Sequence, residues 1–220
     1  NKDGLYVLYW MQQSQRTINN HALNHARDLA AELGLPLVVW FGLTTSFPEA
    51  NLRHYHFMLQ GLQDIASDLA GRDIGFIVEE AEPADGVVAA AGRAAVVVTD
   101  TGYLRIQREW RRKAADALSC PLVQVESDVV VPVETASGKE EYSAATIRKK
   151  IYRNIRSFLS PAEPLTDAPP ARSRGSGAAH APRRGNAAAQ PAAETAAATA
   201  LVPAAGPRID IATLSDGEIL

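Results

Sequence analysis

The sequence predicts an α/β protein built on a five-stranded parallel, doubly wound (Rossmann-like) sheet, followed by a disordered linker rich in alanine and proline. Short continuous apolar runs, as expected of strands covered on both faces, recur through the first 160 residues. Stretches with the 3.6-residue apolar period of helices separate these runs. All fourteen aromatic residues lie before residue 161, so the core should end there.

Five strand candidates follow one another with room for a helix between successive strands. They span residues 6–11, 37–41, 74–78, 95–99 and 122–125, and a further extended piece is expected at 129–133. Because strands that alternate with helices form parallel sheets, we expect helices on both faces of this sheet. Ligands of such sheets bind beyond the carboxyl ends of the strands, where the strand order reverses.

Two helices are predicted from apolar residues that recur every three to four positions. The first covers residues 17–33 and carries Ile18, Ala22, Leu23, Ala26, Leu29, Ala30 and Leu33. The second carries Leu52, Tyr55, Leu59, Leu62, Ile65, Ala66 and Leu69. Gly34, which precedes Leu35-Pro36, and Gly71 stand where glycine commonly ends a helix.

The turn between the first strand and the first helix, MQQSQR, contains no glycine. Nucleotide-binding folds usually place glycines here so that the backbone can approach a phosphate. Two interpretations stay open. In one, the amides, hydroxyl and guanidinium of the turn hydrogen-bond a neutral planar ligand or an adjoining domain. In the other, Arg16 and Asn20 only fasten the turn to the helix.

The composition divides the chain into three parts. Residues 1–160 are expected to form the α/β domain. Residues 161–208 contain 17 alanines and 8 prolines among 48 residues, a composition that buries too little apolar surface to offset chain entropy, and are predicted to be a disordered linker. Residues 209–220 regain apolar spacing, and Ser215 with Glu218 resembles a helix start. We expect them to begin a further, helical domain.

Charge and cysteine content exclude several classes of protein. The formal net charge of −3 is close to zero, so the protein as a whole does not carry the positive field that attracts polyanions. With one cysteine, the chain cannot contain a framework of disulfide bonds. No run approaches 18 consecutive apolar residues, so we expect a cytoplasmic protein without a membrane partner.

The residues that could ligate metal or act as a nucleophile are predicted to be structural. His21 and His25 lie four apart on a helix, but neither they nor His54 and His56 have an evident third ligand. Cys120 before a proline is expected to be a small buried hydrophobe. The phosphate loop, the glycine dinucleotide fingerprint and the nucleophile elbow are absent from the sequence. We therefore assign no catalytic or metal-binding residue.

Two basic clusters leave a choice between a solvated helix face and a phosphate-binding or interdomain surface. The first surrounds Trp110 and comprises Arg105, Arg108, Arg111, Arg112 and Lys113. The second comprises Arg148, Lys149, Lys150, Arg153 and Arg156.

Four long segments carry a family resemblance: YWMQQSQRTINNHAL, LRHYHFMLQGLQDI, VVTDTGYLRIQREWR and CPLVQVESDVVVPVETASGKEEYSAATIRKKI. In this order and spacing they resemble the N-terminal α/β domain of class II DNA photolyases. The resemblance covers about residues 5–159. Trp10, Arg16, Asn20 and the Ala22-Leu23 pair match a first-turn pattern that photolyase relatives share, and the segment ASGKEEYSAATIR suggests class II. Lys149 departs from the family, which commonly has proline there.

The resemblance implies a carbon–carbon lyase that repairs cyclobutane pyrimidine dimers in damaged DNA with light. It implies that reduced FAD is bound by a separate C-terminal helical domain, which would follow this chain. In some members the α/β domain also holds a deazaflavin antenna chromophore. We expect the protein to be a monomer. We also expect this fragment alone to be inactive. The alternatives are a cryptochrome-like blue-light photoreceptor domain without repair activity, or a stand-alone adenine-binding α/β module.

If an antenna chromophore is bound, the strand ends predict its site. Planar chromophores favour apolar walls with a few oriented polar groups. The walls are expected from Trp10, Met11, Trp40 and Phe41, with polar contacts from Gln12, Asp100, Tyr103 and Arg105. The competing interpretation is that Trp10 and Trp40 are ordinary core residues.

Overall fold

The computed structural model describes residues 3–159, 191–204, 206–212 and 214. The strands are β1 (Tyr6–Trp10), β2 (Leu37–Leu43), β3 (Gly75–Glu80), β4 (Ala94–Asp100), β5 (Leu122–Val125) and β6 (Arg208–Ile209). The helices are α1 (His21–Leu33), α2 (Leu52–Ala70), α3 (Pro83–Ala90), α4 (Arg105–Ala117), α5 (Val133–Ala136), α6 (Ala144–Phe158) and α7 (Pro191–Leu201).

These strands form one mostly parallel sheet in the order β5-β4-β1-β2-β3-β6. The five predicted strands are all present and run parallel to one another. The prediction of a five-stranded sheet is corrected by β6, which runs antiparallel beside β3, with Val78 opposite Ile209. The strand order reverses beside β1, which lies between β2 and β4, and this places the expected ligand crevice at the carboxyl end of β1.

Strand β1 is buried on both faces, which explains its continuous apolar sequence. Val7 and Tyr9 belong to the core under α1 and α2, whereas Leu8 and Trp10 belong to the core under α3, α4 and α7. The alternation follows from the two-residue period of a strand. The sheet is therefore covered by helices on both sides, as the sequence predicts.

The boundaries of several elements differ from the predictions. Helix α1 begins at His21 rather than residue 17, because the side chain of Asn20 caps it by accepting the backbone N–H of Leu23 at 2.9 Å. Gly34 ends α1 in the left-handed conformation, as predicted. Gly71 follows α2 but is right-handed, and Asp73 is the left-handed residue of that turn. The extended piece expected at 129–133 is no strand; residues 133–136 form the short helix α5.

The prediction that residues 161–208 form a disordered linker is corrected for residues 191–204 and 206–208. Residues 191–201 form α7, whose Ala198 is buried in the core together with the following Val202. Residues 208–209 form β6, and Ile211 is buried against the opposite face of the sheet. The proline content of this segment does not prevent α7, because Pro191 stands at the first position of the helix, where a backbone N–H is not needed for an intrahelical hydrogen bond. Residues 160–190 and the predicted helix start at Ser215 and Glu218 lie outside the described residues.

Among the residues that the structure describes, no helix combines the length and the apolar composition that a membrane span requires. In that same part of the chain, His, Cys, Asp and Glu form no group of three or more that could hold a metal ion. Cys120 is buried, and its burial raises the pKa of the thiol.

Candidate functional site

A cavity of about 470 Å³ opens at the carboxyl ends of β1 and β2, beside the point where the strand order reverses. Its volume falls within the range of small-molecule sites, about 300–1,000 Å³. The apolar part of its wall is formed by Phe41, Phe47, Pro48, Ala50, Met58 and Trp110. The polar part is formed by Gln12, Gln13, Gln15, Thr44, Glu49, His54, Tyr55 and Gln107. The cavity thus has aromatic walls and several amide groups.

Gln12 joins the ends of β1 and β2. Its Oε1 accepts from Trp10 Nε1 at 3.0 Å and from the Gly42 N–H at 3.3 Å. Its Nε2 donates to the Gly42 carbonyl at 2.9 Å. An amide has two donor hydrogens, so one N–H of Gln12 has no partner among these three bonds. The main role of Gln12 is therefore to hold the floor of the cavity, and its side chain can donate at most one hydrogen bond to a ligand.

Gln13 and Gln107 join the first turn to α4. The side-chain amide of Gln107 donates to Gln13 Oε1, and its own Oε1 accepts the Leu104 N–H at 3.1 Å. A Cβ atom at Gly102 would lie only 2.6 Å from Gln107 Oε1. Glycine at position 102 therefore leaves room for Gln107 to reach the turn.

His54 is a cavity residue whose proton position is set by a helix cap. Its Nδ1 accepts the backbone N–H of Asn51 at 3.1 Å, within the capping box at the start of α2. A neutral imidazole that accepts at Nδ1 carries its proton on Nε2. His54 is thus preset as a donor through Nε2. The neighbouring Tyr55 hydroxyl donates to the Thr44 carbonyl at 2.9 Å, which holds the β2–α2 loop against α2.

Asp100 is a buried carboxylate at the end of β4 that holds the first turn through the backbone N–H groups of that turn. Its Oδ1 accepts from the Tyr9 hydroxyl at 2.8 Å, and its Oδ2 accepts the N–H groups of Ser14 at 3.1 Å and Gln13 at 3.3 Å. Burial raises the pKa of Asp100 although these bonds oppose the shift. Burial, followed by the adjacent Asp100 charge, raises the pKa of Tyr9 well above its ordinary value.

Arg16 and Asn20 also hold the first turn in place. This agrees with the second interpretation of the sequence, in which these two residues fasten the turn to the helix. Arg16 Nη1 pairs with Asp128 Oδ1 at 2.7 Å, and the Asn20 amide donates to the Ser14 carbonyl at 3.0 Å. Although partial burial raises the pKa of Asp128, the bonds from Arg16 and Ser14 outweigh it and leave that pKa lowered. Side chains, instead of glycines, fix this turn.

The structure brings only some of the eight predicted site residues together. Gln12 and Phe41 line the cavity. Trp10 and Asp100 line a narrow crevice next to it, between β1, β4 and α4.

The other four lie outside both spaces. Met11 and Trp40 are fully buried core residues. The Tyr103 hydroxyl donates to Glu126 at 2.8 Å, and burial followed by this carboxylate raises the Tyr103 pKa. Arg105 is exposed at the first position of α4.

Sequence reasoning missed the cavity residues that come from the β2–α2 loop and from two helices. Phe47 and Trp110 both line the cavity and pack against each other, with ring centroids 6.1 Å apart. Tyr55 and Met58 lie one turn apart on α2. A signal was present, because His54 and Tyr55 lie in the first turn of α2, which follows a loop that contains Phe47 and Pro48. Which strand ends this turn faces, however, depends on the order of the strands in the sheet.

The comparison with family models decides the kinship of the chain. Residues 7–171 match the family model described as DNA photolyase. The chain belongs to the DNA photolyase family.

Curated relatives agree with this membership of the DNA photolyase family. The deoxyribodipyrimidine photo-lyase of Methanothermobacter thermautotrophicus is 53% identical over 158 residues, which cover 72% of this chain and 36% of that protein. The enzyme of the same name from Potorous tridactylus is 37% identical over 162 residues, covering 72% and 30% respectively. The chain thus spans about a third of the length of the curated relatives it matches.

Two solved photolyase structures share the fold. The archaeal photolyase from Sulfolobus tokodaii, solved with two FAD molecules, has a TM-score of 0.57 at 12% identity and covers 74% of this chain and 44% of that one. The class III photolyase from Agrobacterium tumefaciens has a TM-score of 0.51 at 18% identity, covering 73% and 34%. The α/β sheet with its helices is therefore the fold that photolyases carry.

Proposed function

We propose that this chain is the N-terminal α/β part of a deoxyribodipyrimidine photo-lyase that splits cyclobutane pyrimidine dimers in damaged DNA under light. The observation that carries the proposal is the family match over residues 7–171, together with 53% identity to a relative of that name. When bound, reduced FAD supplies the electron that opens the dimer. We place it in a C-terminal helical domain of the full-length protein, because the curated relatives are about three times as long as the matched segment.

The class II assignment is part of the same proposal. It rests on the four segments that resemble class II enzymes, above all ASGKEEYSAATIR, which spans the end of α5, the following loop and the first turn of α6. The loop is held by Glu141, whose carboxylate binds the ammonium of Lys150 and the Ser137 hydroxyl. These residues give the segment a defined conformation that a family could retain.

We further propose that the cavity at the ends of β1 and β2 holds a planar antenna chromophore of the deazaflavin type. Its lining fits such a group: the apolar wall includes Phe41, Phe47 and Trp110, and the polar groups are mostly uncharged amides and hydroxyls with a histidine donor. The one carboxylate among the described lining residues is Glu49, and the lining holds no cluster of cations. This chain's residues would stack against the ring and orient it. Phe47 and Trp110, which line the cavity and pack against each other, would help to exclude water from it.

The predicted site residues take revised roles in this proposal. Phe41 is a wall and Gln12 a floor residue with one free N–H. Asp100 positions the turn and does not contact the ring, because its oxygens accept from Tyr9, Gln13 and Ser14. Trp10 supports Gln12 through its indole N–H.

Repair activity is tested with the full-length natural protein carrying reduced FAD. Blue light should remove the dimer from a duplex that contains one thymine dimer, and the same mixture kept dark should not. A protein that changes its flavin spectrum in light but leaves the dimer intact would contradict the proposal and would favour the photoreceptor alternative.

The antenna site is tested by filling the cavity. In full-length protein reconstituted with a deazaflavin, Ala50→Trp should abolish most of the antenna absorbance band, because Ala50 lines the cavity. Repair driven by direct flavin excitation should remain. Ala115→Trp is the matched control, since Ala115 is exposed on α4 outside the cavity and should leave the band unchanged. A full antenna band in Ala50→Trp, at unchanged melting temperature, would remove the cavity from the site.

A further inference from the structure

Helix α6 carries positive charges that neither the cavity nor the core uses. Its 15 residues include five cations and no acidic residue: Arg148, Lys149, Lys150, Arg153 and Arg156. Lys150 is neutralised by Glu141. The other four cations have no carboxylate partner in the part of the chain that the structure describes.

These four cations share one side of the helix. Arg148, Tyr152 and Arg156 follow one another at four-residue steps, and Lys149 and Arg153 form the adjoining row. All five side chains are exposed. This outward basic face, Arg148, Lys149, Tyr152, Arg153 and Arg156, therefore presents four cations within about two and a half turns, with an aromatic ring among them.

The opposite side of α6 turns toward the molecule. Ile147, Ile151 and Ile155 also follow four-residue steps and are half-buried, and α6 packs against α5. A helix that binds a lipid surface needs its apolar face free to enter the bilayer. Here that face is partly covered, so the basic face is what α6 offers to a partner.

We infer that the outward basic face of α6 binds the phosphate backbone of duplex DNA. The inference rests on the proposed function, which makes DNA the substrate, and it adds a contact surface in the α/β part of the protein. Four cations on one side of a helix, without a carboxylate partner among the described residues, complement a polyanion that carries one charge for about every 1.7 Å of helix axis. Contacts to phosphate carry no base specificity, so this face would hold any duplex in place beside the repair site.

Salt-dependent binding tests this inference. Affinity of full-length protein for an undamaged fluorescent duplex is measured by anisotropy over a range of salt concentrations. Each phosphate contact contributes about 0.9 to the slope of log affinity against log salt. Arg153→Gln with Arg156→Gln should therefore lower the slope by about 1.8 and weaken binding roughly 10- to 100-fold at about 0.1 M salt. The matched control is Arg112→Gln with Lys113→Gln, which removes the same charge from α4.

The control separates a contact from a general loss of charge. Arg112 pairs with Glu109 and Asp116, and Lys113 pairs with Asp85, so the control should leave the slope nearly unchanged. Equal slopes in wild type and the α6 variant would overturn the inference. A fall in melting temperature with an unchanged slope would also overturn it and would assign the face to a contact with another part of the protein. Dimer repair at saturating DNA reports separately on the proposed function, because it needs no phosphate contact by α6 once DNA is in excess.

Discussion

At the scale of single residues, Trp40 shows how closely packed the sheet is beneath the candidate site. Its indole is fully buried and donates to Glu79 Oε2 at 3.1 Å. The ring lies against two glycines, Gly42 on β2 and Gly86 on α3, at positions where a Cβ would come within 2.7 and 2.5 Å of its carbons. Trp40 is thus core, and α3 can approach β2 because position 86 has no side chain.

This packing reverses the usual effect of replacing a helical glycine. Gly86→Ala should lower the free energy of unfolding by about 1–3 kcal/mol, because the added methyl overlaps the Trp40 ring in a full core. The measurement is urea unfolding followed by tryptophan fluorescence. Gly61→Ala on α2 is the control: nothing lies within 4 Å of its added Cβ, so helix propensity should raise stability by about 0.5–1 kcal/mol. Stabilisation by both substitutions would disprove the packing described for Trp40.

The polar residues of the site show why side-chain roles were only partly predictable. Gln12 and Asp100 were recognisable from the sequence as polar side chains at strand ends. Their partners, Gly42 for Gln12 and Tyr9 and Ser14 for Asp100, lie 30 to 91 positions away along the chain. Without the strand order, a polar group used by the protein itself cannot be told from one that is offered to a ligand.

At the scale of secondary structure, the apolar runs predicted the strands well because both faces of the sheet are covered. Strand β5 has the predicted bounds, β1 and β2 differ by one or two residues at one end, and β3 and β4 differ by one or two residues at each end. Strand β6 has two residues and pairs only at the sheet edge, so no periodicity could indicate it. Helix α6 was recognisable as a basic helix, but which of its faces is covered depends on α5 and the loop after it.

The Glu141–Lys150 pair should make the attachment of α6 sensitive to acid. Hydrogen bonds from Lys150 and Ser137 lower the pKa of Glu141 from about 4.5 to about 2. A carboxylate whose pKa is lower in the folded than in the unfolded state stabilises the folded state at any pH above its unfolded pKa. This contribution disappears as the pH falls from about 4.5 toward 2. Glu141→Gln should therefore lower the melting temperature at about pH 6 and have no effect near pH 2.

Melting followed by circular dichroism at several pH values checks this behaviour. Glu134→Gln is the control, because Glu134 is an exposed carboxylate of α5 without an ion pair in the described chain. It should change the melting temperature little at any pH. A Glu141→Gln effect that persists unchanged at the acid end would show that the amide disturbs packing rather than charge pairing.

At the scale of the whole molecule, residues beyond 190 add a helix and a strand to the same sheet, although the α/β domain is predicted to end at residue 160. Helix α7 packs against β2 and β3, and β6 extends the sheet beside β3. The composition of residues 161–208 did not predict this, since alanine-rich sequence buries little surface per residue. A few contacts suffice because Val202 and Ile211 reach the two cores from opposite faces.

Arg208 is the residue that joins this returning segment to the sheet. Its Nε lies 3.2 Å from Oε1 of Glu79, which is fully buried, and its Nη2 donates to the Val202 carbonyl at 2.5 Å after the end of α7. Arg208→Met should therefore lower the free energy of unfolding by about 1.5–3 kcal/mol, the range for hydrogen bonds to charged groups.

Urea unfolding of Arg208→Met beside Arg112→Met distinguishes a structural ion pair from a surface one. Arg112 also pairs with carboxylates, but both of its partners are exposed on α4, and such pairs contribute only about 0–1 kcal/mol. The Arg208 variant should therefore lose clearly more stability than the Arg112 variant, in a single transition. Equal, small losses would mean that α7 and β6 do not unfold together with the sheet, and the boundary of the α/β unit would then return to the end of α6.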